Sequence, residues 1–306
     1  MFAVLNINKP IGWTSHDVVA CLRRVYGLKK IGHLGTLDPL AEGVLPLCLG
    51  RATRLIEYFP TTKRYTAKVT LGHTTTTLDR EGEVLSSVDC TNLDLSMARL
   101  QPVLSQFTGT IMQQVPLYSA VHVGGKKLYQ LARQGKTAQL PTRETTIMEL
   151  ALLDLDTQDP GHPVLTLDVR CSSGTYIRSL ARDIGDALGC GAFLSGLVRT
   201  EHGNFTLPHS ISLEALRQSE DPASVLQNPL TFLDMPIVNL ATEEDAKRLS
   251  NGIKIEPTIS AMDGDPSKLK PNAFYMTVFG GNPLGVVQVV SQKLKPVKMF
   301  SGLVGA

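Results

Sequence analysis

One acid stands out as a candidate for chemistry because its neighbours are otherwise apolar. Asp38 lies in the segment HLGTLDPL (residues 33–40), with one valine and two further leucines up to residue 47. Such neighbours solvate a carboxylate poorly, so the pKa of Asp38 should rise unless a cation pairs with it. Its reactivity should rise for the same reason. The plainer alternative is that Asp38 caps a turn before Pro39.

A basic partner for this acid is available far along the chain. In CSSGTYIRSLARDIG (residues 171–185) a strand ends at Ser-Ser-Gly, and Arg178 falls in the first turn of the helix that follows. Arginine stays charged when buried and can hold a carboxylate with two parallel hydrogen bonds. We therefore predict that Arg178 orients Asp38. An ion pair with Asp183, or simple exposure, is the alternative.

A tyrosine on a regular strand is the third candidate. KRYTAKVTL (residues 63–71) alternates apolar and polar residues, which is typical of a half-buried strand. Tyr65 follows two cationic residues on it, and an aromatic ring beside cations suits stacking on a nucleobase. The alternative is a core tyrosine whose hydroxyl is satisfied within the protein.

Positive charge is concentrated in two parts of the chain, although the net charge is only +2. Residues 1–80 hold eleven Lys and Arg against five Asp and Glu. Residues 113–143 hold five basic residues and no acid, namely Lys126, Lys127, Arg133, Lys136 and Arg143. We expect this basic insert to be a loop-and-helix excursion. An ordinary solvated surface is the alternative.

Several other kinds of chemistry lack their usual motifs. The chain has no phosphate-binding loop, no dinucleotide fingerprint, no His-Glu-x-x-His and no nucleophile elbow. Its five cysteines are scattered without a Cys-x-x-Cys pair, so we expect buried, reduced thiols and no metal site. No apolar run approaches a membrane span, and the N-terminus does not resemble a signal peptide, so we expect a cytoplasmic protein.

The secondary-structure elements that must position these residues can be predicted from the sequence. Their order favours an α+β fold, with a mixed, mainly antiparallel sheet and flanking helices. Residues 27–50 carry many glycines and are predicted to be a packed loop. EVLSSV is predicted to pair back on Lys63–Leu71. The other predicted elements are a strand at VLNIN, a helix SHDVVACLRRVY capped by Thr14 or Ser15, a helix within Leu93–Phe107, strands at Thr145–Leu155 and Pro163–Cys171, a helix at Thr175–Leu188 and a short strand around Arg199–Phe205.

A second, smaller domain is predicted at the C-terminal end. With 306 residues the chain exceeds the usual size of one domain. Prolines and polar residues interrupt the apolar clusters before residue 237. We therefore expect domains at 1–236 and 237–306. The second contains one short helix, ATEEDAKRLSNG, and β-rich runs such as FYMTVF and GVVQVV, which favour a small barrel.

Taken together, five ordered blocks resemble the TruB family of tRNA pseudouridine synthases, which act on uridine 55 of the T loop. The blocks are KPIGWTSHDVV, GHLGTLDPLAEGVLP, KRYTAKVTLG, QVPLYSAVHVGGKKLYQLARQG and CSSGTYIRSLARDIG. The resemblance covers residues 3 to about 205 and implies the pseudouridine synthase fold. The tail, residues 238–306, resembles a PUA domain, a small β-barrel-like module that would bind the acceptor end of tRNA.

The resemblance also implies roles for individual residues. Asp38 corresponds to the catalytic aspartate, Tyr65 to the aromatic that lies against the target base, and Arg178 to the arginine paired with the aspartate. It implies substrate-binding roles for His33, Gly35, Thr36, Tyr176, Leu197, Lys126, Lys127 and Arg133. It implies no cofactor and no metal. The expected partner is tRNA, through its T arm and acceptor end, with no membrane, no guide RNA and a monomeric state.

The implied reaction breaks the N1–C1′ bond of uridine, turns the base and rejoins it through C5, after the nucleotide has been flipped out of its loop. Asp38 would attack C1′ or C6, or the sugar would pass through a glycal, and the sequence leaves this open. Guide-RNA-dependent relatives lack the basic insert. A tRNA-folding protein without catalysis, and glycoside hydrolysis by Asp38 with Glu42, are competing functions.

Overall fold

The computed structural model describes residues 1–134, 139–256 and 269–300. The chain forms two compact units. The larger comprises Leu5–Leu47 and Pro60–Leu226, and the smaller comprises Met1–Val4, Cys48–Phe59 and the described residues from Gln227 onwards. Within the described part of the chain, the helices are too short or too polar to cross a membrane.

Most of the secondary structure lies before residue 227. The strands there are β1 (Phe2–Lys9), β2 (Ile31–His33), β3 (Ala41–Gly50), β4 (Lys63–Leu71), β5 (His73–Thr75), β6 (Val84–Ser87), β7 (Gly109–Gln114), β8 (His122–Val123), β9 (Lys126–Lys127), β10 (Thr142–Asp156), β11 (Val164–Cys171), β12 (Ala192–His202), β13 (Phe205–Thr206) and β14 (Ile211–Ser212). The helices are α1 (Ser15–Tyr26), α2 (Met97–Gln106), α3 (Leu128–Arg133), α4 (Ile177–Leu188) and α5 (Leu213–Gln218).

A mixed sheet organises the larger unit, as the sequence predicts. Its strand order is β14-β1-β3-β12-β4-β11-β10-β7, with β2 paired to β3 and β13 to β12. The pairs from β12 through β7 are antiparallel, whereas β12 with β3 and β1 with β14 are parallel. Helix α4 buries its apolar face and packs against β12. The centre of this sheet therefore places β3, β4 and β12 side by side.

Two predicted helices agree closely with the structure. Helix α1 begins after Thr14, whose hydroxyl accepts from the backbone N–H of Asp17, while the Asp17 carboxylate accepts from the Thr14 N–H. This reciprocal cap stabilises the first turn. Gly27 ends the helix in the left-handed conformation. Helix α4 follows β11 as expected, and Arg178 lies in its first turn.

The loop predicted over residues 27–50 is wrong, because Ala41–Gly50 forms the ten-residue strand β3. Its glycines do not break the strand. They allow the backbone of β3 to lie close to that of β12. Gly43 has φ of +101°, and a Cβ there would lie 2.3 Å from the carbonyl oxygen of Arg199 on β12. The short strand predicted around Arg199 is likewise longer, since β12 begins at Ala192.

The predicted pairing of EVLSSV with Lys63–Leu71 is also wrong. This segment forms β6, as expected for its strand pattern, but it pairs with the short strand β5. Strand β4 already has neighbours on both edges, β11 on one and β12 on the other. Its backbone hydrogen-bonding groups are therefore taken, and β6 pairs within a separate hairpin.

The smaller unit contains a four-stranded sheet. Its elements are the 3-10 helices Arg51–Tyr58 and Pro229–Phe232, β15 (Ile237–Asn239), α6 (Glu243–Ser250), β16 (Phe274–Phe279), β17 (Asn282–Val290) and β18 (Lys293–Met299). The sheet order is β15-β16-β17-β18, and α6 covers a core that includes Leu249, Val287 and Leu294. Lys298 forms an ion pair with Glu57, so segment 48–59 belongs to this unit.

Candidate active site

The turn that carries Asp38 is fixed by the start of α1. The buried Ser15 hydroxyl donates to the Leu37 carbonyl oxygen at 3.1 Å and accepts from the Leu37 N–H at 2.9 Å. Gly12 N–H donates to the Pro39 carbonyl, and Ala41 N–H donates to that of Asp38. While its neighbours Leu37 and Leu40 are buried, the Asp38 side chain is 41% exposed. The turn therefore leaves one carboxylate accessible to solvent between buried leucines.

Arg178 is the group that holds this carboxylate. Its Nη2 lies 3.0 Å from Asp38 Oδ2, and its side chain is only 7% exposed. Nη2 also donates to the Tyr118 carbonyl oxygen at 3.0 Å, and Nη1 donates to that of Thr77 at 3.2 Å. Asp183, the competing partner for Arg178, instead accepts from its neighbour Arg182.

Arg178 also contacts a second carboxylate, that of Asp79, which the sequence does not predict. Asp79 Oδ2 lies 3.6 Å from Arg178 Nε, and its side chain is 5% exposed. The loop that carries it is anchored on β12 by hydrogen bonds between Arg80 N–H and the Leu194 carbonyl and between Leu194 N–H and the Leu78 carbonyl. Asp79 lies in a polar run, GHTTTTLDREG, where an acid is unremarkable. No feature of that run marks it as part of a site.

Tyr65 is nearly buried, and its hydroxyl has a partner that the sequence does not reveal. Burial raises the pKa of Tyr65 to about 12, against the opposing effect of a hydrogen bond with Arg199. Arg199 is completely buried, and desolvation lowers the pKa of its guanidinium. It also donates to the carbonyls of Val44, Thr36 and Gly35 at 2.6, 3.3 and 3.1 Å. Arg199 therefore ties Tyr65 to the segment that leads to Asp38.

A cavity of about 440 Å³ lies between these groups. Most of the predicted site residues line it, namely Thr36, Asp38, Tyr65, Tyr176, Arg178 and Leu197. The structure adds Lys63, Tyr118, Ser119 and Tyr129, which the sequence does not single out as site residues. The site thus combines a charged pair with aromatic and aliphatic walls.

His33 and Gly35 are not among the residues that line the cavity. His33 packs edge-on against His16, with ring centroids 5.8 Å apart. A Cβ on Gly35 would lie 2.9 Å from Cε1 of His202, which explains the glycine. Burial lowers the pKa of His202 to about 2, and the positive charges of Arg199 and Lys63 add to this effect. His202 is therefore neutral where its ring lies against Gly35.

The basic insert contributes two tyrosines, Tyr118 and Tyr129, to the site. Arg178 binds the Tyr118 carbonyl, and Tyr129 of α3 lines the cavity. On the β8–β9 hairpin Lys126 is exposed, and Lys127 Nζ lies 5.9 Å from the centroid of the Tyr129 ring. The side chain of Arg133 and the whole of Lys136 lie outside the described residues.

Glu42 does not share the cavity of Asp38. It lines a separate cavity of about 730 Å³, together with Trp13 and Arg217. The carboxylate pair considered for glycoside hydrolysis is therefore not assembled around one space. Among the described residues, no group of three or more His, Cys, Asp or Glu side chains is placed to hold a metal ion. All five cysteines are free and buried, as predicted.

The fold has counterparts among solved structures. A chain of a Cbf5-Nop10-Gar1 complex matches with a TM-score of 0.68 and 26% identity over 99% of this chain and 84% of its own length. A chain of an H/ACA RNP bound to a substrate RNA matches with a TM-score of 0.69 and 24% identity over 98% and 86%. This architecture, a mixed sheet with flanking helices and a C-terminal sheet domain, is the pseudouridine synthase fold.

The sequence comparisons then identify the family. Residues 23–177 match the N-terminal domain of TruB family pseudouridylate synthases, and residues 178–233 match the C-terminal domain of tRNA pseudouridylate synthase B. A tRNA pseudouridine synthase B from Caldanaerobacter subterraneus is 40% identical over 97% of this chain and 98% of its own. One from Microcystis aeruginosa is 47% identical over 76% and 78%. The chain belongs to the TruB family of pseudouridylate synthases.

Proposed function

We propose that this protein converts uridine 55 in the T loop of tRNA to pseudouridine, with Asp38 as the nucleophile. The observation that carries the proposal is the 3.0 Å contact between Asp38 and Arg178 at the wall of a cavity shared with Tyr65. Membership of the TruB family and the name of its relatives, tRNA pseudouridine synthase B, support tRNA as the substrate.

The chemistry is an isomerisation in which Asp38 is the reacting group. Attack of its carboxylate on C1′ forms an ester and breaks the N1–C1′ bond, and attack on C6 forms an adduct that weakens the same bond. The base then turns and C5 bonds to C1′. In the first route this displaces Asp38 from C1′, and in the second the Asp38–C6 bond breaks afterwards, so the free carboxylate is restored; C5 loses its proton and N1 gains one. Arg178 holds the carboxylate in either route, because its contacts to Asp79 and two backbone carbonyls fix its own position.

The cavity is suited to one flipped nucleotide. Its volume of about 440 Å³ is within the range of about 300–1,000 Å³ that is usual for small-ligand sites. Tyr65 and Leu197 offer apolar surface to the base, and Thr36 and Tyr176 line the same space. Flipping costs a few kcal/mol. Contacts outside the cavity must supply that energy.

We assign those contacts to the basic insert and to the C-terminal domain. Lys126, Lys127 and Arg133 would bind T-arm phosphates, with an affinity that falls as salt rises. Residues 1–236 would carry catalysis, and residues 237–306, a PUA-like domain, would bind the acceptor end. We propose that the protein works in the cytoplasm as a monomer without a guide RNA, since its insert supplies contacts of its own.

Carbodiimide mapping of pseudouridine in an unmodified tRNA tests the proposal. Wild-type protein should produce a stop at uridine 55, whereas Asp38→Asn should produce none while still binding tRNA. Glu42→Gln is the matched control, because Glu42 lines a different cavity, and it should behave as wild type. Retained binding without a stop in the wild type would favour a tRNA-folding protein. Equal modification by wild type and Asp38→Asn would remove Asp38 from the mechanism.

A further inference from the structure

Lys63 is a cation of the cavity wall that the proposed mechanism does not yet use. It begins strand β4, two residues before Tyr65, so both side chains point to the same face of the sheet. Both line the cavity that contains Asp38. Lys63 Nζ lies 3.5 Å from the position that a Cβ on Gly35 would occupy. Its ammonium thus lies between Gly35, in the segment that leads to Asp38, and the strand of Tyr65.

The charge of Lys63 has no partner within the part of the chain that the structure describes, where Nζ makes neither an ion pair nor a hydrogen bond. The other cation on this wall, Arg178, is fully engaged by Asp38, Asp79 and two carbonyls. A cation left unpaired in a cavity is costly unless a ligand supplies the missing negative charge. The arrangement therefore points to an anionic group on the bound nucleotide.

The reaction itself creates such a group. When the N1–C1′ bond breaks, its electron pair stays on the uracil ring, and the negative charge spreads from N1 to the carbonyl oxygens O2 and O4. If Asp38 instead adds to C6, the electron pair of the C5–C6 bond moves towards O4. In both routes a uracil oxygen gains negative charge beside Tyr65. A fixed cation in a cavity of low dielectric stabilises developing charge strongly.

We propose that Lys63 is a further catalytic residue whose ammonium donates a hydrogen bond to a carbonyl oxygen of the target uracil and stabilises the negative charge that develops on the ring. This role rests on the proposed function. Lys63 keeps its protons throughout, and no bond to it forms or breaks. The two cations then have different roles. Arg178 holds the Asp38 carboxylate, and Lys63 stabilises the negative charge that develops on the base.

The surroundings of Lys63 make its protonation sensitive to pH. Burial and, to a lesser degree, the positive charge of Arg199 lower the pKa of Lys63 to about 8, against a small opposing effect of Cys171 on β11. The other titratable groups around it are His202 on β12, Tyr65 on β4 and further side chains that line the same cavity, namely Asp38, Tyr118, Tyr129, Tyr176 and Arg178. His202 stays neutral, since its own pKa is about 2. Lys63 is therefore mostly charged at pH 7 and loses that charge in mild alkali.

Single-turnover assays of pseudouridine formation test the role of Lys63. Lys63→Met keeps the length of the side chain but removes its charge, and it should lower kcat by about 10²-fold with KM unchanged, a loss typical of one transition-state donor. Lys63→Arg should restore much of kcat. Lys68→Met is the matched control, because Lys68 is an exposed lysine on the same strand, and it should behave as wild type.

The pH profile gives a second readout that a structural role would not change. In the wild type kcat/KM should fall above about pH 8, because it reports the ionisation of the free enzyme. In Lys63→Arg this fall should disappear. If the fall persists in Lys63→Arg, another group causes it and the assignment to Lys63 is overturned. Lys9 is the leading alternative, since burial lowers its pKa to about 8 as well.

Two kinetic results would also overturn the proposal without touching the proposed function. Full activity of Lys63→Met would remove Lys63 from catalysis. A raised KM with unchanged kcat would place its charge on a backbone phosphate instead of the uracil. If Lys63→Met does not fold, the Lys63→Arg profile still decides, because it retains the charge. Absence of pseudouridine with wild-type protein is a different outcome and would count against the proposed function itself.

Discussion

Acid should destabilise this protein through His202, a buried histidine whose ring lies against Gly35, in the segment that leads to Asp38. Its Nδ1 has no hydrogen-bond partner in the described structure, and two cations, Arg199 and Lys63, lie near it. Burial and these charges lower its pKa to about 2. An unfolded chain has no such environment, so its histidine takes up a proton near pH 6.5. Below that pH the unfolded state binds one proton more than the folded state, and stability falls.

The size of the effect follows from this difference in pKa. Once the pH is below about 6.5, the free energy of unfolding drops by about 1.4 kcal/mol per pH unit for one such group. Between neutral pH and pH 5 the loss from His202 is about 2 kcal/mol. This is a large share of a total stability of about 5–15 kcal/mol. His33, whose pKa burial also lowers, acts in the same direction.

Urea unfolding at pH 7.5, 6 and 5 measures this directly. The fluorescence of Trp13, the single tryptophan, reports on the larger unit, which also contains His202. His202→Gln removes the titration, so the stability of the wild type relative to this variant should fall by about 2 kcal/mol between pH 7.5 and pH 5. Replacing the exposed His122 by Gln should leave the acid loss unchanged. Parallel curves for wild type and His202→Gln would refute the reasoning.

Three further outcomes follow from the packing around the site. Gly43→Ala should destabilise by more than about 3 kcal/mol in urea unfolding, because its Cβ would meet the Arg199 carbonyl at 2.3 Å, whereas Gly27→Ala, with open space, should cost about 1 kcal/mol. Asp79→Asn should lower kcat at least tenfold, since it leaves the buried Arg178 with one acid fewer, and tRNA binding in a filter assay should persist. Arg199→Lys should cost about 3 kcal/mol in urea unfolding, because a single ammonium replaces a guanidinium with four partners. Equal midpoints for both alanine variants, or wild-type kcat in Asp79→Asn, would contradict these arguments.

The residues that can be found from sequence are those whose type conflicts with their neighbours. Asp38 is an acid among leucines, and Tyr65 is an aromatic ring that directly follows two cations on a regular strand. The alternation of KRYTAKVTL also predicts β4 at its observed bounds, Lys63–Leu71. Signals of this kind are local, because they depend only on neighbours along the chain. They identify candidates but not the contacts between them.

Asp79 and Arg199 escape sequence reasoning because their importance arises from distant contacts. Asp79 is polar in a polar segment, and only the anchoring of that segment on β12 brings it to Arg178. Arg199 lies on a strand that the sequence predicts to be short, and its burial depends on β12 pairing with β3 on one side and β4 on the other. The parallel pairing with β3 is hidden by glycines that look like loop residues. Pairings between strands so far apart in the chain leave no local trace.

The two buried arginines give the cavity its electrostatic character. Arg178 is balanced by Asp38 and Asp79, whereas the described contacts of Arg199 are carbonyls and the Tyr65 hydroxyl, which carry no formal charge. Burial, to which the unbalanced positive charge of Arg199 adds, lowers the pKa values of Lys63 and His202. His202 is thereby kept neutral, and with Lys63 protonated the formal charges around the cavity sum to a positive value. A pocket of this kind favours an anion over a neutral base, so we expect its affinity to rise as charge moves onto the uracil ring, which is the condition for catalysis.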